Sequence, residues 1–115
     1  MAKAEEDYTL VLICLRRKTP LTYSATFHAQ QCAEKYLKAL LVQQGHSPPK
    51  IHDLEVLKIL CLKFAIIVPI EDDKLALLTD YAVQARYPGD NPTPDEARAA
   101  FEIAKSVRKF AKGLL

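Results

Sequence analysis

Glycine is scarce in this chain, with three residues among 115, and there is no tryptophan and no Asn-Gly or Asp-Gly pair. Tight hairpins depend on such pairs, so a hairpin-built β fold is disfavoured from the outset. The scattered glycines exclude a glycine-rich phosphate loop as well. No apolar run approaches the roughly 18 residues that span a bilayer. The longest, residues 10–15 and 65–70, are cut short by charge or proline. Cysteine is sparse and odd in number: Cys14, Cys32 and Cys61 are widely spaced, with no CxxC pair. That spacing supplies neither a zinc site nor a redox dithiol and reads as free, buried thiols in a reducing compartment. An excess of one charge is also missing, since sixteen basic residues face fourteen acidic ones for a net +2. Nucleic-acid modules are usually far more basic, so any anion site must come from a local cluster rather than the overall field.

What is present is apolar surface. Half the residues are hydrophobic, enough at this length for one compact domain over residues 1–115 without metal or disulfide staples. The first residues are acidic and lack a basic region followed by an apolar core, so no secretory leader is expected and the protein reads as cytoplasmic.

Prolines divide the chain into five periodic stretches. Residues 2–17 open with Glu5, Glu6 and Asp7 and close with Arg16 and Arg17, which complements a helix dipole at both ends. Residues 20–44 place Ala29, Cys32, Ala33, Tyr36, Leu37, Leu40 and Leu41 at steps of three and four, one face of a helix. Thr19 is its expected cap, Pro20 its first residue and Gly45 its terminator. Its opposite face, with His28, Gln31, Glu34, Lys35 and Lys38, reads as a solvated face with Glu34 and Lys38 as an ordinary surface pair. Asp53 is a candidate cap for a third helix ending by Phe64. Residues 65–70 are β-prone but have no partner strand, so an extended, buried linker is expected. Residues 71–86 form a fourth helix packed through Leu75, Leu78, Tyr81, Ala82 and Ala85. Thr93-Pro94-Asp95-Glu96 reads as a capping box opening the fifth. The fold class is therefore all-α, a five-helix bundle.

Catalytic chemistry finds little support in the residues. His28, His46 and His52 are scattered, and a histidine becomes a useful base only when a partner holds it. His52 beside Asp53 reads as cap structure, because neighbours at a helix start point apart. No His-x-x-x-His or Glu-x-x-His pair is present to hold a metal, and Cys32 sits on an apolar face where a thiolate is disfavoured. No metal and no cofactor are expected. Arg86 and Tyr87 admit two readings that the residues leave level: a cation favoured at a helix C-terminus, or a guanidinium and ring suited to phosphate and base stacking.

The helix carrying Gln30-Gln31-x-x-Glu34-Lys35-x-x-Lys38, followed by His52-Asp53-Leu54, Ala85-Arg86-Tyr87-Pro88 and Thr93-Pro94-Asp95-Glu96, resembles the HEPN domain family across most of the chain. The resemblance implies an all-helical up-and-down bundle that commonly forms a homodimer. It also implies a prokaryotic toxin–antitoxin type setting beside a minimal nucleotidyltransferase. Many members are metal-independent ribonucleases whose signature is an arginine followed within a few residues by histidine. Arg86 matches that arginine, but no histidine follows it in this chain, and arginine cannot act as the missing base. The expectation is therefore a non-catalytic nucleotide- or RNA-binding module. Arg86 would contact phosphate with Lys35 and Lys38 assisting, Tyr87 stacking and Gln31 hydrogen bonding. Two alternatives stand beside it: a metal-independent ribonuclease using Arg86 with a displaced histidine, His28 or His52, and a structural protein-interaction module.

Overall fold

The computed structural model describes residues 2–47, 50–83 and 91–115. Among them are five helices and no strand: α1 (Ala2–Arg16), α2 (Thr22–Gln43), α3 (Leu54–Leu62), α4 (Asp72–Val83) and α5 (Pro94–Leu114). α2 is the axis of the bundle and packs against each of the other four. Its apolar stripe, with Tyr36, Leu37, Leu40 and Leu41 wholly buried, meets Leu54 and Leu57 of α3, Leu75 and Leu78 of α4, and the small residues of α5 from Ala97 to Ala111. All three cysteines are free and buried in this core.

Several expected boundaries hold for local reasons. The Asp53 side chain accepts from the amides of Glu55 and Val56 and starts α3. Thr93 and Glu96 exchange both bonds of a capping box at the head of α5. At the end of α2, Gly45 has φ +83°, its amide donates to the Val42 carbonyl, and the His46 amide reaches back to Leu41. This paired 5→2 and 6→1 arrangement is the Schellman motif. α3 ends in the same motif, Ala65 to Leu62 and Ile66 to Cys61, but the left-handed position is held by Ala65 at φ +61°. Beyond it, residues 66–70 run extended with Ile66, Val68 and Ile70 turned inward and Ile67 outward, so the expected linker is buried on one face only.

The start of α2 differs from expectation. Thr19 does not cap it and Pro20 is not its first residue. The helix begins at Thr22 with Leu21 in the cap position and no side-chain cap bond. The Leu21 amide instead donates to the Cys14 carbonyl at 3.2 Å, folding the connection back onto α1 before α2 can start. The expected end of the fourth helix at Arg86 lies outside the described residues, as does Ala85.

A polar clasp ties the first, second and last helices together. Arg108 donates from Nε and Nη2 to the two oxygens of Glu5 at 2.8 and 3.1 Å. The buried Tyr36 hydroxyl also donates to Glu5, and the Arg108 guanidinium lies 4.2 Å from the centre of the Tyr8 ring. The Arg108 bond and then the Tyr36 bond outweigh burial and hold the Glu5 carboxyl down at about 2. Thus Arg108 is committed to holding the fold.

Candidate functional site

The polar face of α2 departs from the solvated stripe that its spacing predicts. Glu34 is only 5% exposed and Gln30 is fully buried. One Glu34 oxygen accepts from Gln30 Nε2 and from His52 Nδ1, both at 3.0 Å, and the other accepts from Lys38 Nζ at 3.1 Å. Burial would raise this carboxyl, but the bonds from Gln30, His52 and Lys38 prevail and hold it below the usual carboxylate range. Gln30 further donates to the His52 carbonyl and accepts from Gln31, so the loop before α3 is fastened to α2.

A second constellation of the same form lies one to two turns toward the N-terminus. Asp7, on α1, is 5% exposed. Its two oxygens contact His28 Nδ1 at 2.8 Å and Lys35 Nζ at 2.5 Å. In each constellation a buried carboxylate holds one imidazole and one ammonium on separate oxygens. Because a carboxylate only accepts, Nδ1 of each imidazole donates and Nε2 is left as the free ring nitrogen. The two carboxylates and two ammoniums cancel formally, so the face is polar and ordered but carries no net charge from these four groups.

Of the residues predicted for a phosphate site, Gln31, Lys35 and Lys38 are gathered on this face, while Arg86 and Tyr87 lie outside the described residues. The surface pair of Glu34 and Lys38 exists, but its acid is a core residue, and this corrects the solvated reading. The partnerships of His28 with Asp7 and of His52 with Glu34 escaped the sequence reading. A signal for them was present: Asp7 falls in the α1 stripe Ala4, Asp7, Val11, Cys14, and Glu34 falls in step with Gln30, Leu37 and Leu41. All of these are buried.

The thiols lack activating surroundings. Desolvation pushes Cys32 up to about 12 and Cys61 up to about 11, which keeps both protonated and poorly nucleophilic at neutral pH. Among the described residues, no three His, Cys, Asp or Glu side chains converge to hold a metal ion, and no helix is long and apolar enough to cross a membrane.

Among the described residues, four helices around a central α2 with two buried-carboxylate constellations define an all-helical bundle with a polar α2 face. The family model of the HEPN domain matches residues 1–114, and the chain belongs to that family. Comparison with curated proteins and with solved structures finds no significant match.

Proposed function

We propose that this chain is a single-domain, cytoplasmic HEPN protein that binds the phosphates of a nucleotide or RNA without cleaving it. In this reading it acts as a homodimer and pairs with a minimal nucleotidyltransferase in a toxin–antitoxin type system. The observation that carries the reading is that two buried carboxylates, Asp7 of α1 and Glu34 of α2, order Lys35 and Lys38 on one face of α2, where Gln31 is held by Gln30 one turn before Lys35. Anchored ammoniums lose little freedom when a phosphate arrives, which favours binding. Their charge is already balanced by Asp7 and Glu34, so the reading calls for a further cation, and the family resemblance supplies Arg86 for that role, with Tyr87 as the ring for stacking.

Titration with ATP and with a short single-stranded RNA at several salt concentrations tests this. Binding should weaken as salt rises. Arg86→Ala should cost about tenfold or more and Lys38→Ala less, each lowering the salt slope by about one charge. No binding of either ligand at low salt overturns the proposal.

One observation favours a second reading. Asp7 fixes the His28 ring with Nε2 free, as a general base requires. RNA cleavage in chelator that disappears in both His28→Ala and Arg86→Ala would replace the binding module with a metal-independent ribonuclease.

A further inference from the structure

Helix α3 is apolar nearly all round. Leu54, Leu57 and Cys61 face the core, yet Ile59 and Leu62 on the other side are 59% and 58% exposed and Val56 is 37% exposed. Ile67, on the extended segment that follows, is 72% exposed and joins Ile59 and Leu62 in lining a trough of about 210 Å³, whose lining also includes Lys58 and Asp72, paired at 2.8 Å. A helix hydrophobic on both faces belongs in an interior, and a contiguous exposed apolar patch rimmed by polar residues marks an interaction site.

We propose that this face of α3 packs against the same face of a second copy, antiparallel about a twofold axis at Ile59. The charges argue for this occupant. Val56, Ile59 and Leu62 recur every three residues, each outer one about 60° from Ile59 at 100° per residue, and Glu55 and Lys63 lie one residue beyond the two ends of this stripe, about 40° from Ile59 on either side. Reversing the helix about Ile59 brings Val56 level with Leu62 of the second copy and Glu55 level with its Lys63. Neither Glu55 nor Lys63 has an ion-pair partner among the described residues. The patch therefore complements itself in shape and in charge, as an isologous interface must. The trough beside Ile67 offers room for an apolar side chain from the opposite copy. This inference names the surface for the homodimer of the preceding section and rests on that reading.

Sedimentation of the full chain across micromolar concentrations tests the interface. The wild type should approach twice the 12.9 kDa chain mass. Ile59→Lys should raise the dissociation constant at least tenfold with unchanged circular dichroism. Glu55→Lys and Lys63→Glu should each weaken association, and the double variant should recover it. Ile59→Cys should cross-link to itself under mild oxidation, since the native thiols are buried. A dimeric wild type matched by an equally dimeric Ile59→Lys would overturn the α3 surface and leave the homodimer standing. A wild type that stays monomeric at hundreds of micromolar would remove both. Loss of association in the charge-reversed double variant, without recovery, would discard the antiparallel register.

Discussion

Glu34 and Ile59 occupy each other's customary places: the carboxylate is 5% exposed and the isoleucine 59%. On α2 the chain has taken charge into its interior, and on α3 it has left hydrocarbon in water. The two are resolved differently. A buried carboxylate demands hydrogen bonds at once, and Gln30, His52 and Lys38 provide them within the same chain. An exposed apolar stripe carries no such unmet bond and persists until a second surface covers it. Polar burial is thus settled inside the fold, whereas the apolar stripe stays open at the surface, where the proposed dimer would cover it.

The largest expected effect comes from breaking the buried side. Glu34→Ala leaves the Lys38 ammonium without its carboxylate and takes one of the two acceptors from the buried Gln30 amide, and should destabilise the fold by about 3 kcal/mol, measured by urea unfolding. A loss below 1 kcal/mol would mean that water replaces the carboxylate and that the site is less closed than its burial indicates. With its folded value below the ordinary carboxylate range, Glu34 contributes stability above the unfolded pKa near 4.5, and that stability is lost as pH falls below it.

Glu5 sharpens the contrast, because it has more cationic partners yet its side chain is 36% exposed. Glu5→Gln should cost about 1.5 kcal/mol, less than Glu34→Ala, and less again in high salt. Its carboxyl is lowered from 4.5 to about 2, so its contribution is complete above about pH 4.5 and disappears as pH drops toward 2. Equal acid sensitivity of the wild type and Glu5→Gln across that window would show that the Arg108 clasp does not form in solution.

The ends of the same two helices offer a smaller test. Gly45 and Ala65 fill equivalent left-handed positions, and only glycine does so without strain from a Cβ. Gly45→Ala should destabilise by about 1 kcal/mol although the space around it is open. Ala65→Gly should stabilise by about 0.5 kcal/mol, the relief of strain exceeding the added freedom of the unfolded chain. Opposite signs in thermal melts confirm that backbone strain decides both. The smallest effect belongs to Ile59→Ser, which should move the stability of the dilute protein by less than about 0.5 kcal/mol while weakening self-association.

Much of the helical framework was legible residue by residue. Thr93 and Glu96 announced the start of α5, Asp53 the start of α3 and Gly45 the end of α2, because a cap is a bond between neighbours. The start of α2 was misplaced because Leu21 bonds to Cys14, seven residues back, and no capping pattern encodes that reach. Helical phase put Gln31, Lys35 and Lys38 on one face of α2, and the structure has them on that face. It also assigned Glu34 to solvent, since a polar residue beside other polar residues mimics a surface stripe. Asp7 and Glu34 keep step with the apolar residues of their helices, and that register was the overlooked sign of burial.

The amino-acid order alone determined the helices and most of their boundaries, since caps, prolines and three-to-four-residue periodicity act within a turn or two of chain. Only tertiary packing decided which acid holds which base. His28 meets Asp7 across 21 positions and Arg108 meets Glu5 across 103, and such choices are made by the helix that happens to lie alongside. Local propensity carries no information about that neighbour, because the energy that selects it is the burial shared by both helices.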